Sequence, residues 1–275
     1  MLGGVSVGHL NASAHVCCTF RDASHRRNVV SDYLAAGINA GDRVFVYTRD
    51  GDPQRAAHDF GLAPFERPIA SGQLTIASAE DAYFGDGVFD GEARATGFGE
   101  LAEAAVADGF RRVRVYADNG WMPAALDDPN EWIEYELRIA LLAPKHPLIG
   151  LCGFLERDLV VLDDEIIDAV HEHRLGAGER PSPYSLFGQA DGTWVVQGEI
   201  DLRCRESFGR VLAHAAAVSD VPNMDLSLVE FIDVRTTSEL HELARRERVV
   251  LRNPTPMLVR LWGFLGFDDT LLGTS

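Results

Sequence analysis

The sequence predicts an α/β protein of two units: a mostly parallel sheet with flanking helices, followed by a smaller α/β unit. Short apolar runs alternate with helical segments of ten or more residues before position 175, a pattern typical of parallel sheets. Segment 175–183 combines glycine, proline and polar residues without periodicity, as linkers do. A chain of 275 residues also has room for two ordinary domains. We therefore predict domains at 1–178 and 179–275.

The elements of the first unit follow from its apolar periodicity. Runs of β-branched and aromatic residues between turn residues predict strands at 15–20, 43–48, 74–77, 113–117 and 147–154. Helical spacing predicts helices at 22–36, around 56–60, and at 99–108, 131–142 and 164–173. A loop rich in glycine and aspartate is expected at 84–91.

The second unit is predicted to begin with a hairpin. Ala190-Asp191-Gly192 supplies its turn between 184–189 and a strand at 193–201. Further strands are expected at 223–228 and 249–251, and helices at 203–218, 233–246 and 254–266. Asp233 is placed to cap the second of these helices.

Charge and composition argue against several classes of function. The chain carries 25 Lys and Arg against 42 Asp and Glu, a net charge of −17, which disfavours direct nucleic-acid binding. Lys145 is its single lysine and follows no glycine-rich turn, so neither a phosphate loop nor a Schiff-base lysine is expected. Four scattered cysteines, no signal-peptide pattern and no long apolar run predict a cytoplasmic protein with reduced thiols and no membrane segment.

Three short motifs are better explained by structure than by chemistry. Gly4-Val5-Ser6-Val7-Gly8 resembles a nucleophile elbow, but no strand has room to precede it. In His15-x-Cys17-Cys18, strand alternation puts Cys18 opposite the other two side chains, which favours a buried strand over a metal site. His171-Glu172-His173 is predicted to be a solvated helix end. We accordingly predict no metal and no cofactor.

A ligand pocket is one interpretation of the helix before the Cys152 strand. Glu134, Tyr135, Glu136 and Arg138 lie on that helix, and parallel sheets bind ligands at the carboxyl ends of their strands. A solvated helix face explains the same residues. Trp121, in the loop after strand 113–117, would lie near such a pocket or serve as a packed aromatic cap.

The segment 224–240 contains Asp225-Leu226-Ser227 and then Phe231-Ile232-Asp233. Together with 198–201 upstream and with 251–254 and 265–267 downstream, it resembles the STAS domain of anti-sigma factor antagonists over residues 184–275. The family's phosphorylatable serine follows the aspartate, where this chain has Val234. Thr236, Thr237 or Ser238 could substitute, because phosphate is favourable at a helix N-terminus; capping and surface hydroxyls are the plainer explanation.

Residues 13–178 resemble the MEDS sensory domain. The similarity is carried by His15-Val16-Cys17-Cys18, the turn at 37–43, residues 81–84, Trp121, Tyr135-Glu136 and the run 151–154. This resemblance implies a RecA/KaiC-like fold that has lost its phosphate loop. The residues expected to sense a ligand are His15, Trp121, Glu136 and Cys152.

The two resemblances together predict a non-enzymatic cytosolic regulator. Its sensory unit would control binding of the STAS unit to an anti-sigma factor or a histidine-kinase-like ATPase. The expected contact surface comprises Asp233, Val234, Arg235, Thr236 and Thr237, with Arg235, Thr236 and Thr237 exposed. A small-molecule-binding or enzymatic unit docked by STAS is an alternative, as is a structural scaffold, and a homodimer is left open.

Overall fold

A six-stranded parallel sheet forms the centre of the first unit. The computed structural model describes residues 10, 13–49, 51–62, 65–85, 87–159, 164–175, 182–219, 223–247 and 249–273. The strands of this sheet are β1 (Ala14–Phe20), β2 (Arg43–Thr48), β3 (Leu74–Ser78), β4 (Val113–Asp118), β5 (Leu148–Leu155) and β6 (His173–Arg174). Their order is β3-β2-β4-β5-β1-β6, and every described pair is parallel.

Helices cover both faces of this sheet. They are α1 (Ala23–Asn39), α2 (Pro53–Phe60), α3 (Glu66–Ala70), α4 (Ala79–Phe84), α5 (Gly91–Ala107), α6 (Met122–Ala125), α7 (Asn130–Leu142) and α8 (Asp164–Ala169). Alternation along β1 sends Cys18 into the apolar core under α1 and α2, and Cys17 into the core under α5 and α7. His15 therefore lies on the α7 side of the sheet.

The described residues of the second unit form one mixed sheet and three α-helices. Its strands are β7 (Tyr184–Gly188), β8 (Trp194–Ile200), β9 (Asn223–Ile232), β10 (Val250–Arg252) and β11 (Leu272–Gly273), in the order β11-β10-β9-β8-β7. The β7 strand is antiparallel to β8, and the other pairs are parallel. Its helices are α9 (Arg205–Ala217), α10 (Val234–Glu247) and α11 (Pro256–Phe264).

The predicted α/β class, the parallel sheet and the hairpin are confirmed, while some element ends differ. Helix α5 begins eight residues earlier than expected because Asp90 caps it, accepting a hydrogen bond from Ala93 N at 2.9 Å. Helix α8 ends at Ala169 rather than at His173, which instead pairs with β1 in strand β6. Asp233 caps α10 as predicted, with Thr236 N donating to Oδ1 at 2.7 Å.

The two units contact each other through α7 and also through α8, both of which pack against α9 and β7. Arg210 of α9 donates to Asn130 Oδ1 at 2.8 Å, and His214 Nδ1 lies 3.0 Å from Glu134 Oε1. Most of the predicted linker, and the Gly4–Gly8 motif, lie outside the described residues. Within the part of the chain that the structure describes, no helix has both the length and the apolar character needed to cross a membrane.

Candidate functional site

Four buried polar side chains converge between the parallel sheet and α7. They come from β1 (His15), α7 (Glu136), β5 (Cys152) and the turn after α8 (His171). Glu136 Oε2 lies 2.9 Å from His15 Nε2, 3.5 Å from His171 Nε2 and 3.5 Å from Cys152 Sγ. The Cys152 sulfur is also 3.6 Å from His15 Nε2. One carboxylate oxygen is thus the centre of a compact group of nitrogen and sulfur atoms, which we call the His/Glu/Cys cluster.

The parallel pairing of β1 with β5 brings two members of the cluster together. His15 pairs in register with Gly150, and Cys17 with Cys152. A Cβ added at Gly150 would lie 4.0 Å from His15 Cδ2, in ordinary contact, and Cys152 of the same strand reaches His15 Nε2. The rings of His15 and His171 are in contact, with their centroids 4.1 Å apart and their planes tilted by 32°.

Hydrogen bonds from outside the cluster fix the orientation of its members. His171 Nδ1 lies 2.6 Å from the Ile167 carbonyl oxygen, which accepts only if Nδ1 carries the proton. His171 Nε2 is then unprotonated, and its lone pair faces the cluster. This nitrogen has no hydrogen-bond partner among the described residues. Asn119 Nδ2 donates to Glu136 Oε1 at 3.3 Å, so Oε2 is the oxygen that faces the imidazoles.

Burial determines the protonation states of the cluster. It lowers the pKa of His15 to about 3, against a smaller opposing effect of the Val170 backbone. It also lowers the pKa of His171 to about 3, so both imidazoles are neutral near pH 7. Burial raises the pKa of Glu136, and raises that of the Cys152 thiol well above its ordinary value. A protonated thiol is a poor nucleophile, which argues against covalent catalysis by Cys152.

A small cavity adjoins the cluster. Its volume is about 30 Å³, which is room for a water or a very small ligand. His15, Asn119 and Cys152 are among the residues that line it. Tyr83 and Tyr135, whose hydroxyls are 3.1 Å apart, lie on another side, and apolar residues complete the lining.

The structure brings together three of the four residues predicted to sense a ligand. His15, Glu136 and Cys152 meet in the cluster, whereas Trp121 does not line the cavity. The Trp121 ring instead packs 6.0 Å from the Phe84 ring and 5.0 Å from the Arg49 guanidinium, the aromatic-cap alternative.

The prediction for His171 was wrong. It was assigned to a solvated helix end, but its side chain is fully buried and belongs to the cluster. The error follows from the predicted helix end, because the chain leaves the helix at Ala169 and turns inward. Neither the i, i+2 spacing nor the polar Glu172-His173 neighbours indicate a buried side chain.

The other candidates on α7 point elsewhere. Glu134 faces His214 of the second unit, and Arg138 Nη2 lies 3.9 Å from Glu92 Oε2 on α5. Tyr135 is buried beside Tyr83. Of the four residues named on this helix, only Glu136 enters the cluster.

The expected surface at the start of α10 needs a correction. Val234 and Arg235 are exposed, and the Asp233 carboxylate is used as the helix cap. Thr236 and Thr237 are fully buried, so their expected exposure is wrong. They belong with Leu240 and Ala244 to the stripe of α10 that faces the core.

Comparison with known proteins identifies the first unit. No curated protein matches the chain. The family described as MEDS, the MEthanogen/methylotroph, DcmR Sensory domain, matches residues 14–174, which is more than half of the chain and includes all four residues of the cluster. The chain therefore belongs to the MEDS family of sensory domains.

Proposed function

We propose that this protein is a non-enzymatic signalling regulator, in which the MEDS unit senses a small ligand and thereby controls a protein-binding second unit. The observation that carries the proposal is the position of α7. This helix supplies Glu136 to the cluster and also packs against α9 and β7 of the second unit. A change at the cluster that moves α7 would therefore change the position of the second unit, which packs on this helix.

The contact between the units is close enough to transmit a small displacement. Gly188 at the end of β7 lies directly on the α7 backbone, where an added Cβ would be 2.7 Å from the Ala140 carbonyl oxygen. The same helix makes the polar contacts from Asn130 and Glu134 to α9. Packed backbones of this kind shift together rather than deform independently.

The proposed partner-binding surface lies where β9 passes into α10. Val234 is 51% exposed. Two further apolar side chains are also exposed: Phe231, three residues earlier in the chain, and Leu202, which follows β8, the strand paired with β9. Arg235 adds a cation with a 73% exposed side chain. Exposed apolar residues beside a charge are typical of protein-binding surfaces.

We propose that the second unit is a STAS-like domain and that its partner is an anti-sigma factor or a histidine-kinase-like ATPase. The motif residues 225–227 and 231–233 support this assignment, as does the helix that Asp233 caps directly after a central strand. A RecA/KaiC-like ancestry for the first unit is supported by its parallel sheet and by Asp22. That carboxylate caps α1, occupying the helix N-terminus that follows β1.

Phosphorylation at Thr236 or Thr237 is not part of the proposal, because both hydroxyls are buried. Thr237 Oγ1 donates to the Asp233 carbonyl oxygen at 2.8 Å. Ser238 Oγ similarly donates to the Val234 carbonyl at 3.0 Å. We propose that ligand sensing, rather than phosphate at these hydroxyls, controls the surface.

The test is affinity capture with the purified full chain, followed by mass spectrometry and by binding measurements with the recombinant partner. Arg235→Glu should weaken binding at least tenfold, whereas Arg245→Glu should not, because its 63% exposed side chain lies at the far end of the same helix. Equal weakening by both variants, or by neither, would show that the proposed surface is wrong.

A further inference from the structure

The four donor atoms of the His/Glu/Cys cluster have the spacing of a tetrahedral metal site. Zinc bonds of about 2.0–2.1 Å to nitrogen and oxygen, and about 2.3 Å to sulfur, place neighbouring ligand atoms roughly 3.3–3.6 Å apart. The Cys152 sulfur lies 3.6 Å from His15 Nε2 and 3.5 Å from Glu136 Oε2, and His171 Nε2 lies 3.5 Å from that oxygen. The distance from His15 Nε2 to the same oxygen, 2.9 Å, is a hydrogen-bond distance and must lengthen by a few tenths of an ångström when both atoms bind one metal. All four atoms lie within 4.8 Å of one another.

The orientation of the ligands also fits a metal. His171 donates from Nδ1 to the Ile167 carbonyl, which directs the lone pair of its fully buried Nε2 into the cluster without a partner among the described residues. Metal-bound histidines commonly use their second nitrogen in this way. Asn119 holds the other oxygen of Glu136, as an outer partner of a carboxylate ligand does.

The charges of these groups balance around a divalent cation. Two neutral imidazoles, one carboxylate and one thiolate carry a total charge of −2, so the complex with a divalent ion is neutral and suits an interior without water. On loading, the thiol proton leaves as the sulfur–metal bond forms. A set of two nitrogens and one sulfur excludes calcium and magnesium, which prefer oxygen ligands.

We infer that His15, Glu136, Cys152 and His171 bind a divalent transition metal of the zinc class through Nε2, Oε2, Sγ and Nε2. The site is closed, with four protein ligands, as structural zinc sites are. It would join β1, β5, α7 and the turn after α8 at one point. Because this is the cluster to which we assign sensing, the inference rests in that respect on the proposed function, but metal binding and partner binding are measured separately.

The test uses the full chain, stripped of metal under reducing conditions and reloaded with zinc or cobalt. Elemental analysis should find one zinc per chain. X-ray absorption of the zinc-loaded protein should show one sulfur and three nitrogen or oxygen ligands. The cobalt-loaded protein should show a thiolate-to-cobalt charge-transfer band with the intensity of a tetrahedral site. These measurements on the unaltered chain do not depend on a variant folding.

Matched variants locate the site. The double variant Cys152→Ala with His171→Ala should lose zinc affinity at least tenfold, and Cys152→Ala alone should lose the charge-transfer band. Cys204→Ala is the control, because that buried thiol lies in the second unit and donates to the backbone carbonyls of Glu199 and Asp201. It should bind zinc as the unaltered chain does.

Two results would overturn the inference. One is a stripped chain that takes up no stoichiometric zinc or cobalt, and the other is unchanged metal binding by the folded double variant. If the unaltered chain binds zinc but captures no partner, the proposed function is wrong and the metal site stands. If the unaltered chain binds a partner but takes up no metal, the metal site is wrong and the proposed function stands.

Discussion

Glu134 and Glu136, two residues apart on α7, face different units of the protein. Glu136 Oε2 lies 2.9 Å from His15 Nε2 in the cluster, while Glu134 Oε1 lies 3.0 Å from His214 Nδ1 on α9. Residues at this spacing on a helix point in nearly opposite directions. One helical turn therefore joins the buried cluster to the second unit. The proposed sensing function depends on this helix.

Replacing glycine by alanine should change stability in opposite directions at Gly188, which contacts α7, and at Gly209 in α9. In Gly188→Ala the new Cβ would lie 2.7 Å from the Ala140 carbonyl oxygen and 2.9 Å from Leu141 Cα, so the backbone must move. We expect a loss of about 1–3 kcal/mol in the free energy of unfolding. Chemical denaturation followed by fluorescence measures it.

Gly209→Ala is the matched control within α9. Its new Cβ meets nothing nearer than Glu239 Oε2 at 3.9 Å. Alanine is favoured over glycine inside a helix, so this variant should gain about 0.5–1 kcal/mol. Equal effects of the two variants would mean that Gly188 of β7 does not pack closely against the α7 backbone.

Thr236 and Thr237 are neighbours with different expected responses to replacement by valine. Thr237→Val removes the hydrogen bond to the Asp233 carbonyl and should cost about 0.5–1.5 kcal/mol of unfolding free energy. Thr236 Oγ1 is buried without a hydrogen-bond partner among the described residues, so Thr236→Val should be neutral or stabilising. Denaturant titration of both variants checks the difference, and a larger loss for Thr236→Val would contradict the burial described.

Asp118 predicts a pH dependence of stability. Burial raises its pKa to about 6, with Arg26 acting in the opposite direction and Asp158 and Asp59 adding to the rise. The folded state then holds a proton between about pH 4 and pH 6 that the unfolded state releases. The contribution of Asp118 to stability is therefore present at low pH and is lost as the pH rises through this window.

The measurement is the unfolding free energy of the unaltered chain and of Asp118→Asn from pH 4 to pH 7. The stability of the unaltered chain relative to the variant should fall across pH 4–6 and then level off. A relative stability that rises with pH would show that Arg26 outweighs burial.

The four cysteines should resist thiol reagents in the folded protein, because all are buried. Burial raises the pKa of Cys18 to about 12 and raises those of Cys17, Cys152 and Cys204. Reaction with a chromogenic disulfide should reach four thiols per chain in denaturant and fewer than one over the same time without it. Rapid modification of a native thiol would contradict the burial described.

Most of the fold was predictable from local patterns, because strands and helices bury regular stripes. The β2 run of apolar and aromatic residues, the Ala190-Asp191-Gly192 turn and the Asp233 cap each produced the element expected of it. Thr236, Thr237, Leu240 and Ala244 have the spacing of one helix face. This spacing was present in the sequence and was the signal that both threonines face inward.

The cluster was only partly predictable, because its members meet through sheet order. His15 and Cys152 become neighbours when β5 pairs with β1, an arrangement that periodicity does not specify. His171 lies in a turn, where no repeating pattern reports burial. The role of Glu136 rather than Glu134 depends on the rotation of α7, which the packing of both units sets together.

Hydrogen exchange of Glu136→Gln tests the role of α7 most directly. Glutamine keeps the size of the side chain but replaces the carboxyl group beside His15 and His171 with an amide. Glu131→Gln, an exposed change in the first turn of the same helix, is the control. Both full-length variants are compared with the unaltered chain under conditions in which all three are fully folded.

We expect faster exchange for Glu136→Gln in α7 and also across the contact in α9 and β7. Exchange in β2 and β3 should be unchanged, and Glu131→Gln should have no effect. A change confined to the first unit, with α9 and β7 exchanging as in the unaltered chain, would contradict the claim that α7 connects the cluster to the second unit.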